Sequence, residues 1–228
     1  MSVSLVYSID RRNENAMLVS LSSALEQTTG LARVDVLYSD GGGDRLAGRL
    51  QAVCGATPFS IVDTAAEFRR VQREGFQIGT VGKIAYLKFL VPAVVDTPRA
   101  IFLDADTIVR CDLRELYEAD LGGLPVGAVQ DWLVPTVLAP NSPVQRYVAV
   151  TDDLPYFNSG VMLIDVPRLR EISLMEQAVG LRDVQVRYAD QDLFNLILLG
   201  QWQPLDPRWN YPVDRSLVAE SLRARHEA

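Results

Sequence analysis

Two rhythms of apolar residues alternate along the chain, and each predicts a different backbone. Val3 to Ile9 is an unbroken apolar run rich in β-branched residues, which reads as a buried strand. From Asn13 to Gln27 the period changes, with Ala16, Met17, Leu21, Ala24 and Leu25 at helical spacing. Arg33 to Tyr38 alternates as a strand does, "SDGGGD" is a turn, and Leu46 to Val53 reads as helical. Pro58 to Val62 reads as a strand, Ala65 to Arg73 as a charged helix, and Val81 to Val95 as a helix capped by Thr80, with Pro92 near its end. The segment "IFLDADTIV", Ile101 to Val109, is the most hydrophobic strand-like stretch, yet it carries Asp104 and Asp106 one residue apart.

The second half is more mixed. Leu113 to Tyr117 is a short helix, Pro125 to Gln130 a strand, and Asn141 to Tyr147 has helical character. "YFNSGVMLID" is a strand with a polar start, Arg168 to Val184 is helical with interruptions, and Asp190 to Leu199 is a short apolar helix. Strand and helix in alternation predict an α/β fold: a mixed, mostly parallel sheet with helices on both faces. With no repeat, low-complexity stretch or linker, residues 1–228 read as a single domain. In such sheets ligands sit at the carboxyl ends of the strands, which is where Asp104 and Asp106 fall.

Composition narrows the function. A formal net charge of −7 argues against a nucleic-acid groove, and it requires a cation or a local basic residue to hold any phosphate ligand. The one histidine, His226, makes a histidine triad or a histidine-built zinc site a poor expectation. No apolar run reaches the roughly 18 residues of a membrane span, and "MSVSLVYSID" lacks the pattern of a signal peptide. Cys54 and Cys111 stand far apart in no motif and read as reduced packing residues of a cytoplasmic protein.

Residues i and i+2 of a strand share a face, so Asp104 and Asp106 repel each other unless a cation lies between them. Mg²⁺ and Mn²⁺ take oxygen ligands, commonly one or two carboxylates plus substrate phosphates. Read alone, the pair could equally cap turns or meet arginines. Two more polar clusters stand out. Asn158 and Ser159 open an otherwise apolar strand, and in "YADQDLFNL" Asp190 is a good helix N-cap, while Gln191 has no evident structural reason.

Together "LVYSID", "IAYLKFL", "IFLDADTIV" with "DLRELYEADL", "YFNSGVMLID", "YADQDLFN" and "PRWNYP" resemble, in order and spacing, the family 8 retaining glycosyltransferases. The resemblance implies a GT-A fold, a nucleotide-sugar donor (a UDP-glucose or UDP-galactose), Mn²⁺ or Mg²⁺, and retention at the anomeric carbon. It implies that Asp104 and Asp106, with Ala105 between them, hold the metal and diphosphate, and that Ser8 and Asp10 touch the nucleoside. Asn158, Ser159, Asp190 and Gln191 would line the sugar, with Asn158, Asp190 and Gln191 at the reacting centre. Where the family generally carries an arginine facing the donor, this chain has Tyr86; Lys83, one turn earlier, is expected to replace that charge.

Other departures are the "DRRNEN" row after the first strand and the absence of a C-terminal His-x-x-Gly-x-x-Lys-Pro-Trp motif. His226 falls near the position of that histidine, a third metal ligand in the family, but a terminal histidine is expected to be frayed. A minimal or truncated enzyme, weak in donor binding, is the corresponding expectation. The leading reading is a metal-dependent hexosyltransferase acting on a glycan, lipid-linked or lipopolysaccharide-type acceptor, with self-association compatible with the sequence. The alternatives are a nucleotide-sugar-binding protein that has lost transfer, and a nucleotidyltransferase. The latter would place a glycine-rich loop after the first strand, and this chain has none there.

Overall fold

The computed structural model describes residues 2–41, 43–73 and 83–213, and all structural statements concern these. Strands β1 (Val3–Ile9), β2 (Leu31–Tyr38), β3 (Phe59–Asp63), β4 (Arg99–Leu103), β5 (Val126–Gln130), β6 (Phe157–Asp165) and β7 (Gln203–Pro204) form one sheet in the order β3-β2-β1-β4-β6-β5-β7. Every neighbouring pair is parallel except the two that involve β6, which runs against β4 and β5. The expected mixed, mostly parallel sheet is therefore present. The reversal of β6 matters for the site, because it sets the polar start of β6 beside the carboxyl end of β4: Leu103 pairs with Val161, and the Asp104 N–H donates to Gly160 O at 2.7 Å.

The pleat of the strands distributes their apolar residues to two cores, one on each face. Leu5, Tyr7, Ile9, Ile101 and Leu103 pack with helices α1 (Glu14–Gln27) and α2 (Asp44–Cys54). Val6, Ala100, Phe102, Met162 and Ile164 pack on the opposite face. There they meet α4 (Lys83–Leu87), α5 (Val91–Val94), α7 (Val166–Glu171), α8 (Leu174–Gly180) and α9 (Asp190–Leu198). Helices α3 (Ala65–Arg73) and α6 (Arg114–Tyr117) complete the order. Burial on both faces explains why β1 and β4 read as continuous apolar runs rather than as alternating ones.

Several sequence expectations are corrected. The helix expected over Val81 to Val95 is broken into α4, a 3₁₀ turn at Lys88–Leu90 and α5. Pro92 is the cause: it has no N–H to give to the carbonyl of Lys88, and Val91 N–H bonds that carbonyl instead, in the tighter register. Asn141 to Tyr147 keeps only a 3₁₀ turn, Gln145–Tyr147, since Pro143 disfavours helix at and before it. The stretch from Arg168 is two helices, α7 and α8, divided at Ser173, whose φ is 51°. Two-residue β7 has no period to read and was not expected. Cys54 is buried as anticipated, whereas Cys111 is exposed, and both are free thiols. No helix among the described residues is long and apolar enough to cross a membrane. Thr80 and His226 lie outside the described residues, as does the side chain of Lys83.

Candidate active site

The apolar run that begins β4 ends at Leu103, and the chain then turns. Asp104 and Asp106 are not two residues of one strand face, as the sequence suggested; they belong to a turn in which Thr107 N–H donates to Asp104 O at 3.2 Å. The pleat still decides where Asp104 goes. Leu103 faces α1, so Asp104 follows Phe102 to the other face, under α4 and α9.

There it meets Lys88, which the 3₁₀ turn aims into the protein. Lys88 is 4% exposed. Its ammonium lies 2.9 Å from Asp104 Oδ1 and 2.7 Å from Asp190 Oδ2, donates to Ser159 O at 3.1 Å, and sits 4.9 Å from the centre of the Phe102 ring. Burial pulls its pKa down, but the carboxylates of Asp104 and Asp190 outweigh that and raise it, so Lys88 stays charged. Asp104, with 39% of its side chain exposed, is pushed up to about 6 by desolvation against the opposing pull of Lys88, with further upward pressure from Asp190 and Asp106.

The reversed strand β6 supplies the next layer. Ser159 Oγ donates to Asp190 Oδ2 at 2.7 Å, and Ser159 N–H donates to Gln191 Oε1 at 3.2 Å. Gln191 Nε2 donates to Asp131 Oδ2 at 3.2 Å, and Asn158 Nδ2 donates to the same oxygen at 2.9 Å. Asp131 Oδ1 accepts from the N–H groups of Leu133 and Val134 at 2.8 and 2.7 Å. Asn158 Oδ1 accepts from Gly160 N–H and from Asn210 Nδ2, both at 2.8 Å. Deeper still, the Asn195 amide pairs with both backbone groups of Phe157 at 2.9 Å, which clamps α9 onto the start of β6. Asp192 accepts from the hydroxyl of Tyr156 and from Arg187 and Tyr188 N–H, and desolvation raises its pKa despite these bonds.

The structure thus gathers Asp104, Asn158, Ser159, Asp190 and Gln191, with Ala105 and Asp106 in the adjoining turn. Asp190 is not the N-cap; Ala189, with φ of 45°, holds that position and Asp190 is the first helical residue, its carboxylate turned to Lys88 and Ser159. Gln191 has its structural reason in the link between β6 and Asp131. Ser8 is buried and its hydroxyl donates to Ile84 O at 3.3 Å. Asp10 Oδ1 accepts from Arg12 N–H and from the N–H and side-chain amide of Asn13, which shapes the turn into α1. Tyr86 faces the core, 6% exposed and stacked on Phe89 at 6.4 Å, and burial together with Asp190 and Asp192 raises its pKa. Lys88, Asp131 and Asn210 were missed. Lys88 could have been noticed as a charge inside the run "YLKFLVP", and Asp131 as a carboxylate closing β5 much as Asp104 closes β4.

A hard divalent cation fits the exposed side of this cluster. Asp104 and Asp106 are close enough for the charge of Asp106 to raise the pKa of Asp104, Asp106 is exposed, and Gly160, lacking a Cβ, makes room for the Asp104 carboxylate. A Cβ on Gly160 would stand 3.0 Å from both Asp104 Oδ2 and Asn158 Oδ1. Among the described residues no third acidic, histidine or cysteine side chain completes a ligand set, so further oxygens would have to come from a bound diphosphate.

Residues 56–224 match the model of Glycosyl transferase family 8. The chain is 32% identical over 139 residues to General stress protein A of Bacillus subtilis, a match that covers 57% of this chain and 46% of that protein. It is 29% identical over 209 residues to the glycosyltransferase GlyF of Streptococcus pneumoniae, covering 88% of this chain and 48% of GlyF. The chain spans about half the length of these curated relatives. In fold it is similar to the galactosyltransferase LgtC, solved with donor and acceptor sugar analogues, with a TM-score of 0.72 at 23% identity over 90% of this chain and 74% of that one. The shared architecture is the GT-A fold.

Proposed function

The chain belongs to glycosyltransferase family 8, and from that premise we propose that it moves a hexose from a nucleotide sugar, UDP-glucose or UDP-galactose, to a hydroxyl of a glycan or lipopolysaccharide-type acceptor. The observation that carries the reading is the ammonium of Lys88 held between Asp104 and Asp190, which ties the turn after β4 to the first residue of α9. A mere cap or surface ion pair would not require three ionisable groups to converge where β4 ends and the reversed β6 begins. That GlyF is called a glycosyltransferase, and that LgtC was solved with both a donor and an acceptor analogue, favours transfer over plain binding.

In this reading the bond from the sugar's anomeric carbon to the diphosphate oxygen breaks. A new bond forms to the acceptor oxygen on the same face, and the acceptor proton passes to the leaving diphosphate. Asp104 and Asp106 would hold Mn²⁺ or Mg²⁺, which when bound neutralises the charge that develops on the leaving group. Asp190 presents a carboxylate whose position is fixed by Lys88 and Ser159, suited to stabilise positive character on the sugar ring. Gln191 and Asn158 are fixed by their common partner Asp131, so that their amides do not swing as the sugar binds. Ser8 and Asp10 act by shaping the loop under the nucleoside.

The second reading, donor binding without transfer, draws on Tyr86, which stands buried where the family has an arginine. One experiment separates the two: ¹H NMR of the chain with UDP-glucose or UDP-galactose, Mn²⁺ and a panel of glycans. Release of UDP matched by a product with the donor's anomeric configuration is expected. Donor binding without product favours the second reading, and no donor binding at all sinks both.

A further inference from the structure

We propose that the cavity between the loop after β5 and the segment before α9 seats a carboxylate or phosphate group of the acceptor, so that the acceptor is an anionic glycan. The inference rests on the transferase reading and names the acceptor class for that same site. The cavity measures about 450 Å³, and Ser142, Gln145, Arg146, Gln185 and Arg187 line it. Its walls are continuations of the candidate active site. One wall follows Asp131, and Asn141 Nδ2 ties it back by donating to Leu133 O at 2.6 Å. The other leads into Asp190 and Gln191, with Arg187 and Tyr188 N–H fixed on Asp192 at 2.6 and 2.8 Å. Beyond the cavity the same two segments are joined by the bond from Gln191 to Asp131. The two segments that line the cavity are thus the ones that carry Asp131 and Asp190, and an acceptor long enough to follow them from the site reaches it.

The cavity is open to solvent, with Gln145, Arg146, Gln185 and Arg187 exposed, and its two sides are tied together. Gln185 N–H donates to the hydroxyl of Tyr147 at 2.9 Å, and Arg146 donates across the gap to Gln185 O at 3.3 Å and Oε1 at 3.2 Å. Each guanidinium is spread over a neighbouring ring, Arg146 on Tyr147 at 4.8 Å and Arg187 on Tyr188 at 5.2 Å. Among the described residues neither pairs with a carboxylate, although Arg45, Arg49, Arg114, Arg168 and Arg208 all do. In a chain of net charge −7, two guanidiniums without a carboxylate partner in one cavity suit an anion with several acceptor oxygens and suit a neutral sugar poorly.

The test uses matched probes: methyl β-glucoside against methyl β-glucuronide for a carboxylate, and glucose against glucose 6-phosphate for a phosphate. Dissociation constants are read by ligand-observed NMR on the full chain with UDP and Mn²⁺ present. At low ionic strength at least one charged member should bind about tenfold tighter than its neutral partner, with the advantage fading in high salt. Which pair shows it identifies the group. In an R146Q/R187Q double variant of unchanged melting temperature the advantage should disappear. Equal binding within both pairs, or a preference that survives the double substitution, overturns the inference. A parallel calorimetric titration of UDP with Mn²⁺ keeps the two readings apart: failure there sinks the transferase reading, whereas UDP binding with no charge preference sinks only the anionic acceptor.

Discussion

Two buried ionic clusters lie on opposite faces of the sheet, and they are built on opposite charge counts. At the start of α1, Glu14 is 2% exposed; it accepts from the Tyr38 hydroxyl at 2.8 Å, pairs with Arg49 at 2.9 Å, and also meets Arg45. One carboxylate there faces two guanidiniums and a hydroxyl. Under α4 the order is inverted: one ammonium, Lys88, faces Asp104 and Asp190, with Asp106 near enough to act on Asp104. The first cluster leaves no negative charge to spare. The second is left with more than Lys88 can neutralise, and its exposed side is the side of Asp106. An ion cluster that only holds a fold together satisfies its buried charge; on the proposed function, the imbalance of the second is what would receive a cation and a charged donor.

Removing the lysine should break the comparison most. Lys88→Met leaves two buried carboxylates facing each other, and loss of one partner of a buried ion pair costs about 3–5 kcal/mol. It also frees Asp190 from its anchor, and misplacement of about 1 Å at a reacting centre lowers rates on the order of 100-fold. Urea unfolding and turnover per folded molecule should therefore both fall. A folded Lys88→Met that keeps wild-type turnover would reduce the lysine to a structural counter-ion.

The next effect tests the unbalanced charge directly. Asp106 is exposed and Asp106→Asn should change stability by less than about 0.5 kcal/mol. The Mn²⁺ concentration needed for UDP to raise the melting temperature should nevertheless increase by about tenfold or more. An unchanged Mn²⁺ dependence would mean that the turn after β4 holds no metal.

The sheet and its layers were legible because β1, α1 and α3 carry long, unmixed periods, and their bounds fall within a residue or two of those expected. Asp104 and the polar start of β6 were legible as carboxylates and amides interrupting apolar runs. What escaped was set by distance along the chain. Lys88 reaches Asp190 only because β6 is reversed and α9 is clamped by Asn195, and no local pattern encodes that meeting. The aim of Lys88 depends on a break that Pro92 causes, which helical spacing alone smooths over. Asp131 escaped because its four hydrogen bonds come from its own loop, from Asn158 on β6 and from Gln191 on α9, which only the fold brings together.

Gly160 should give a smaller change. A methyl group there would sit 3.0 Å from Asp104 Oδ2 and Asn158 Oδ1, tighter than ordinary contact, and both oxygens belong to held side chains. Gly160→Ala is expected to cost about 1–3 kcal/mol by overpacking and to weaken UDP binding in the presence of Mn²⁺ by a few-fold. A variant that binds UDP as well as the parent would show that the space beside Asp104 is not used by the donor.

The smallest effect on function is expected from the balanced cluster. Glu14→Gln removes the charge but keeps the shape, so Arg45 and Arg49 lose their ion pair and one of them faces an amide donor. Hydrogen bonds to charged groups contribute about 1.5–3 kcal/mol, and the melting temperature should drop accordingly. Turnover per folded molecule should not change, because Glu14 stands across the sheet from Lys88, and its oxygens are committed to Tyr38 and the two arginines. The comparison can fail at this point. Glu14 also borders a cavity of about 200 Å³ with Arg11, Tyr38 and Asp40, close along the chain to Asp10. If Glu14→Gln lowers UDP affinity while Asp106→Asn does not, the nucleotide is held at that cavity, and the balanced cluster rather than the unbalanced one serves the donor.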